Sequence, residues 1–267
     1  MNAAVASGAG SALAGRGIVV TRPRQQSAHL AGLIESAGGR AIVFPTIEIA
    51  DVRDRRTLNA LIDRLEQFDY AIFVSPTAVD RAISSIRARR ELPPGLRIAA
   101  IGKGSARELR RFEILNVLHP DERFDSEGLL DLKEFAELSG KSIVIFRGEG
   151  GRELLGATLG ERGARIEYAE CYRRVRPGSD GRELLAAWAQ GQIHAIQASS
   201  AESVRNLFAI AGTPGRPWLR RTPLFVPHER IATVARELGV GVVVVTDPGD
   251  EALVSGVIRF FADQRLE

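Results

Sequence analysis

A glycine-rich turn after a strand-like run has the residue types of an anion site. Residues 145–154 read IFRGEGGREL and join the apolar run Ser142–Phe146 to a helical pattern with Leu154, Leu155 and Leu159 on one face. Glycines between a strand and a helix let the helix-start N–H groups approach a negatively charged ligand. The turn leaves two alternatives open, a nucleotide site and a site for another anion.

The nucleotide alternative lacks its usual motifs. The sequence has no GxxxxGK[ST], RGEGGR is not a full GxGxxG, and the acidic residue expected at a strand end about 20 residues on has no convincing candidate. It also lacks a GxSxG nucleophile elbow and an Asp/Glu cluster for Mg²⁺. Four scattered histidines and one cysteine give no metal-binding cluster. The residues therefore favour an anion other than a nucleotide, and we expect no metal.

Other turns at strand ends offer hydroxyls, small residues or cations. Ligands of open α/β sheets bind beyond the carboxyl ends of the strands. The turns in question are Arg22–Gln25, Ser75–Thr77, Gly102–Ser105, Arg147–Arg152, Ser199–Ser200 and Pro227–Arg230. Three lie in each half of the chain, so we expect them to face each other across a cleft that binds a small anion.

Each turn also has a purely structural interpretation. The serines and Thr77 are good helix N-caps, which need no ligand. Arg22 and Arg147 could each brace a domain against a buried carboxylate or carbonyl. His228 fits a cap or a surface position, Tyr172 an ordinary strand aromatic and Cys171 a small packing residue.

Composition excludes several classes of protein. Of 267 residues, 45% are hydrophobic, which supports a real core, yet no apolar run approaches the length of a membrane helix. The net charge is only +3 and aromatics are 6%, which argues against nucleic-acid binding. The single cysteine forbids an internal disulfide and favours a reducing cytoplasm.

The first sixteen residues, MNAAVASGAGSALAGR, predict a flexible leader. Ala12-Leu13-Ala14 has the A-x-A form of a signal cleavage site, but a charged n-region is missing and glycines and serines interrupt the apolar stretch. We therefore do not expect secretion.

Short apolar runs alternate with helical patterns from Gly17 onward, which predicts an α/β fold with parallel sheets. The predicted strands are Ile18–Thr21, Ala41–Pro45, Tyr70–Ser75, Ile98–Ile101, Ser142–Phe146, Arg165–Tyr172, Ala195–Ala198, Leu224–Val226 and Gly241–Thr246.

The two halves of the chain resemble each other. Ile18 aligns with Ile143, an offset of 125 residues, and Arg22 then falls on Arg147. Ser75 aligns with Ser199, an offset of 124 residues. A period of this size indicates a duplicated domain, since solenoid repeats are shorter. We therefore predict two similar parallel-sheet domains.

The stretches 44–53 and 167–177 occupy equivalent places in the two halves and are long and extended. We predict that they pair as a two-stranded β-ladder and hinge between the domains. One domain is then discontinuous and covers residues 17–47 and 175–267, and the inserted domain covers residues 48–174.

The ordered set of segments resembles the uroporphyrinogen-III synthase family over nearly the whole chain. The segments are TRPRQQ, FVSPTAV, IGKGSARELR, FDSEGLL, IFRGEGGREL, ECYRRVRP, QASSAESV and PHERIATVARELG. The resemblance implies two α/β domains joined by a β-ladder, with the active-site cleft between them. It implies a hydro-lyase of haem biosynthesis that closes hydroxymethylbilane to uroporphyrinogen III with inversion of ring D, using no metal and no cofactor.

The resemblance also implies site residues. Tyr172 stands where the family has a tyrosine that assists loss of the substrate hydroxyl, and a phenol is protonated at neutral pH and can donate. The substrate has eight carboxylates, which explains the donor-rich turns. The implied substrate-binding residues are Arg22, Ser75, Thr77, Gly102, Ser105, Arg147, Ser199, Ser200, His228, Arg230 and Ile231. Ser105 departs from the family's usual threonine, and Thr77 stands where many members differ.

The partners we expect are this tetrapyrrole substrate and, transiently, the upstream deaminase; we expect a monomer that binds neither nucleic acid nor membrane. The main alternative is a two-domain ligand-binding protein of the periplasmic or repressor type. The leader argues against export, and sixteen residues are too few for a helix-turn-helix.

Overall fold

The computed structural model describes residues 12–151 and 153–264. These residues divide into two compact units. Unit 1 runs to Glu48 and resumes at Val175, and unit 2 is Ile49–Arg174.

The described residues form strands and helices in alternation. The strands are β1 (Gly17–Val20), β2 (Arg40–Val43), β3 (Glu48–Ala50), β4 (Tyr70–Phe73), β5 (Arg97–Ala100), β6 (Val117–Leu118), β7 (Ser142–Gly148), β8 (Arg165–Val175), β9 (Ala195–Gln197), β10 (Leu224–Val226) and β11 (Val243–Val245). The helices are α1 (Ala28–Ser36), α2 (Arg56–Ile62), α3 (Pro76–Arg87), α4 (Lys103–Arg111), α5 (Ser126–Leu130), α6 (Leu154–Glu161), α7 (Arg182–Ala189), α8 (Ala201–Arg221), α9 (Glu229–Glu237) and α10 (Asp250–Asp263). A non-helical Gly212 divides α8 into two segments.

The two sheets repeat one strand order. The five-stranded sheet has the order β11-β10-β9-β1-β2, and the six-stranded sheet has the order β3-β8-β7-β4-β5-β6. If β1 is placed over β7, then β2, β9, β10 and β11 fall on β8, β4, β5 and β6. The sequence alignment of Ile18 with Ile143 predicts this correspondence. All five strands of the first sheet are paired in parallel, as are β4 to β8 of the second.

Each sheet is covered by helices on both faces, which is why its strands read as apolar runs without alternation. In unit 2, α2, α3 and α4 pack on one face, and α5 and α6 on the other. In unit 1, α7, α8 and α9 cover one face and α1 and α10 the other. None of the described helices is long and apolar enough to span a bilayer.

All nine predicted strands are present, and the structure contains two further short strands that were not predicted. These are β3, which lies beside β8 at the edge of the six-stranded sheet, and the two-residue β6. The predicted ladder stretches 44–53 and 167–177 contain β3 and most of β8. Their role as a hinge stays a prediction.

The predicted flexible leader is wrong for residues 12–16. These residues form a turn in which Leu13 is fully buried and its backbone N–H donates to Ala37 O at 2.9 Å. Arg16 lies 4.6 Å from the centre of the Phe261 ring. The single large apolar side chain of this Ala/Gly/Ser-rich segment, Leu13, anchors residues 12–16 on the core. Residues 1–11 lie outside the described residues.

Two glycines of α6 provide a matched test of packing. A Cβ on Gly156 would lie 2.0 Å from Tyr168 Oη, whereas a Cβ on Gly160 would have nothing within 4 Å. Gly156→Ala should therefore lower the free energy of unfolding by about 1–3 kcal/mol through overpacking. Gly160→Ala should raise it by about 0.5–1 kcal/mol, because alanine is the better helix former.

Denaturant melts of both variants check this prediction. Equal stabilities for the two would contradict the packing of Tyr168 against α6.

Candidate active site

A cavity of about 520 Å³ opens at the carboxyl ends of the strands of unit 2. Its polar lining comes from the turn Gly148–Gly151 and from the side chains of Ser75, Asp125, Ser126, Glu127, Arg147, Tyr168, Tyr172 and Arg174. Its apolar lining includes Phe124 and Leu154. Leu154 is 52% exposed whereas Leu155 and Leu159 are buried, which corrects the expectation that the three lie on one face of the helix. The cavity therefore combines hydrogen-bond donors with apolar walls, as small-molecule sites usually do.

A bulge in β8 decides where Tyr172 points. Arg147 is in register with Glu170, but the next residue, Gly148, is in register with Tyr172, so Cys171 is the extra residue. Side chains of a strand alternate between faces, and one inserted residue reverses the alternation beyond it. Tyr172 consequently joins Cys171 in the core on the α3 side of the sheet.

Tyr172 is held by two contacts. Its ring lies against Gly148, where a Cβ would come within 2.7 Å of the ring carbon Cζ. Its hydroxyl lies 3.2 Å from Ser75 Oγ, and either oxygen could be the donor. Tyr172 is only 3% exposed, yet it lines the cavity. A substrate group that reaches the phenol must therefore enter the cavity.

Ser75 begins α3. It adopts an extended backbone, and its Oγ accepts a hydrogen bond of 3.0 Å from the N–H of Ala78. The following residue is Pro76, which suits the first helical position because it lacks an N–H. Ser75 is thus both the N-cap of α3 and the neighbour of the phenol.

Arg147 holds the glycine-rich turn. Its guanidinium donates to Gly151 O at 3.0 Å and to Glu170 Oε1 at 3.3 Å, and it stacks on Tyr168 at 3.8 Å from the ring centre. Glu170 Oε1 also accepts from the N–H of Gly150 at 3.3 Å. Only the Nε of the buried Arg147 is left without a partner. These contacts agree with the bracing interpretation, although Arg147 also lines the cavity.

Arg174 is the cation that the sequence interpretation missed. It is exposed, lines the cavity, and lies two residues beyond Tyr172 on β8, so the two share a face of the strand. Its neighbour Arg173 instead donates from Nε to Asp51 O at 2.9 Å. The alternation of side chains along β8 was the available signal, because it places Arg174, and not Arg173, on the same face as Tyr172.

Cys171 is a packing residue. It belongs to the core cluster of unit 2, and its Sγ lies 3.2 Å from Arg147 O. Burial raises the pKa of the Cys171 thiol from 9.0 to about 12. The thiol therefore stays protonated at neutral pH and is not a nucleophile.

The other predicted residues of unit 2 do not line this cavity. Gly102 is the N-cap of α4, and a Cβ there would lie 3.1 Å from Phe124 Cβ. Thr77 lies half-buried in the first turn of α3. Ser105 is 4% exposed on the inner side of α4, so its side chain is not presented to a ligand.

In unit 1, Arg22 already has a carboxylate partner. Its Nη1 lies 2.6 Å from Oδ1 of Asp250, the first residue of α10. Burial alone would raise the pKa of Asp250, but the hydrogen bond from His29 and the charge and hydrogen bond of Arg22 hold it below its ordinary value. Arg22 therefore repeats the bracing contact that its equivalent, Arg147, makes with Glu170.

The remaining predicted residues of unit 1 also lie at helix starts. Ser200 Oγ caps α8 by accepting from Ser203 N at 3.0 Å, and Ser199 is exposed before it. His228 and Arg230 are exposed at the start of α9. Ile231, in contrast, is 1% exposed in the core, so only its backbone is available for the predicted contact with substrate, which stays a prediction. No group of three or more potential metal ligands occurs among the described residues.

The fold and the cavity define a class, a duplicated α/β protein with a phenol and cations at the carboxyl edge of a parallel sheet. The family model described as Uroporphyrinogen-III synthase HemD matches residues 28–255. The chain belongs to the uroporphyrinogen-III synthase family.

Relatives and solved structures agree with this membership. The chain is 35% identical to uroporphyrinogen-III synthase of Salmonella typhimurium, over 87% of this chain and 96% of that protein. It is 34% identical to the Escherichia coli enzyme over the same shares. Its fold is similar to that of uroporphyrinogen-III synthetase from Helicobacter pylori, with a TM-score of 0.61 at 14% identity, covering 92% of this chain and 99% of that one. A mutant uroporphyrinogen III synthase from Thermus thermophilus gives a TM-score of 0.60 at 20% identity, covering 94% and 100%.

Gly148→Ala tests whether catalysis depends on the position of the Tyr172 ring. The backbone there is not left-handed, so alanine introduces no backbone strain, but its Cβ would displace the phenol ring. We expect kcat to fall about tenfold or more if the displaced phenol is a proton donor. Steady-state kinetics check this, with Gly160→Ala as the control because its Cβ meets nothing. A Gly148→Ala variant with the kcat of the wild type would remove Tyr172 from the chemistry.

Proposed function

We propose that the chain catalyses the family reaction, in which hydroxymethylbilane closes to uroporphyrinogen III with loss of water and inversion of ring D. The observation that carries the proposal is the joining of the Tyr172 phenol, Ser75 and two arginines in one cavity of unit 2. This arrangement supplies a proton and binds carboxylates, and the reaction needs both.

The phenol of Tyr172 serves the first step. The bond between the methylene carbon and the hydroxyl oxygen breaks, the electron pair leaves with the oxygen, and the phenol proton converts it to water. The product is a cationic azafulvene, and Tyr172 becomes a phenolate. The terminal ring attacks through its substituted carbon, and the spiro intermediate then fragments and recloses. The proton lost from carbon when the ring regains aromaticity returns to the phenolate.

The remaining contribution is orientation. Unassisted closure of the same substrate gives the isomer without inversion, so the protein must hold the chain in one conformation. Arg174 is exposed at the cavity and is placed to bind one acetate or propionate side chain of the substrate. Every step is an elimination, an addition or a fragmentation without net oxidation, so the proposal involves no redox cofactor.

An isomer assay tests the proposed function. Hydroxymethylbilane is generated in situ, the purified chain is added, and the oxidised uroporphyrins are separated by chromatography. We expect isomer III with the chain and isomer I without it. Isomer I in both, from a chain that is folded by circular dichroism, would contradict the proposal and favour a ligand-binding protein.

Arg174→Gln should separate binding from chemistry. Loss of a charge-assisted bond to a carboxylate costs about 1.5–3 kcal/mol, so KM should rise about tenfold or more while kcat changes little. Arg173→Gln is the matched control, because Arg173 is the adjacent arginine of β8 and contacts Asp51 instead. Equal effects of the two substitutions would mean that net charge, not the cavity cation, sets KM.

Compartment and assembly stay predictions. A reducing cytoplasm rests on the single cysteine, and the monomeric state and the transient contact with the upstream deaminase rest on the family resemblance.

A further inference from the structure

The phenol of Tyr172 has one proton and one hydrogen-bond partner among the described residues. That partner is Ser75, at 3.2 Å between the two oxygens. If the phenol donates to Ser75, its proton points away from any substrate. If Ser75 donates instead, the phenol proton is free to enter the cavity. The direction of this one bond decides whether a residue that is only 3% exposed can act as an acid.

The capping bond of Ser75 favours one direction. A serine hydroxyl has one proton and two lone pairs. One lone pair of Ser75 already accepts from Ala78 N–H at 3.0 Å. The N–H groups at the start of α3 also carry partial positive charge, which weakens the serine oxygen as an acceptor and strengthens its hydroxyl as a donor. Both effects favour donation from Ser75 to the phenol oxygen.

We propose, on the basis of the function proposed above, that Ser75 is a positioning residue that donates its hydroxyl proton to Tyr172 and thereby directs the phenol proton into the cavity. This role differs from the direct substrate contact that the sequence suggested for Ser75. The same bond serves after proton transfer. Once the phenol O–H bond has broken and the departing hydroxyl has become water, the serine hydroxyl already donates to the phenolate that remains.

Three substitutions of Ser75 separate capping from donation. Ser75→Thr keeps the cap and the hydroxyl. Ser75→Asp keeps the cap but offers only acceptors, so the phenol must turn its proton toward the carboxylate. Ser75→Ala loses both functions. We expect Asp and Ala to lower kcat about tenfold or more with KM within about twofold, and Thr to recover most of the kcat that Ala loses.

The thermal midpoint is the structural control. Asp is as good an N-cap as Ser, so Ser75→Asp should melt near the wild type, whereas Ser75→Ala should be less stable. A low kcat in a variant of normal stability is not expected from a purely structural serine. If Ser75→Asp unfolds, the kcat of Ser75→Ala is compared with that of the wild type instead, since this variant places no carboxylate beside the phenol.

The decisive readout is the coupling of Ser75 to Tyr172. In a Tyr172→Phe background, neither Ser75→Asp nor Ser75→Ala should lower kcat further, because no phenol proton remains to be directed. Ser75→Asp with the kcat of the wild type, or an equal loss in both backgrounds, would overturn the inference. Failure of the proposed function is distinct, since the wild-type chain would then yield isomer I before any variant is compared.

Discussion

One extra residue in β8 determines where the side chain of Tyr172 points. With strict alternation, Tyr172 would share a face with Tyr168 and Glu170, beside α6. The bulge at Cys171 turns it to the opposite face, over Gly148 and next to the N-cap of α3. Bulges commonly re-aim side chains near active sites. The contact with Ser75 and the arrival of Arg174 at the cavity both depend on this single irregularity.

The arginines at the strand ends divide into two groups. Arg22 and Arg147 are equivalent by the repeat, and each is largely buried against a carboxylate of its own unit. Their charges are mostly used to hold a loop, since a buried charge without a partner would be costly. Arg174 is exposed and has no such carboxylate partner among the described residues. The duplication therefore retained the bracing arginine in both units, whereas Arg174, which can meet a ligand, belongs to unit 2.

Much of the fold follows from the sequence because buried parallel strands leave a clear apolar signal. The strands were predicted to within a few residues, and the alignment of Ile18 with Ile143 anticipated two sheets of the same order. The sequence motifs identified three residues that line the cavity, namely Ser75, Arg147 and Tyr172. The bulge was not predictable, since the local sequence gives no sign of which residue is inserted. The burial of the Ile231 side chain was not predicted, because a motif does not say which of its side chains points inward.

The most direct test of the account is to find where the product binds. Backbone amide resonances of the full chain would be followed by NMR during an anaerobic titration with uroporphyrinogen III. The account predicts that the amides of Gly148, Gly150 and Gly151 shift together with that of Ser75. Binding of the product without any shift at these four amides would contradict the placement of the active site in this cavity.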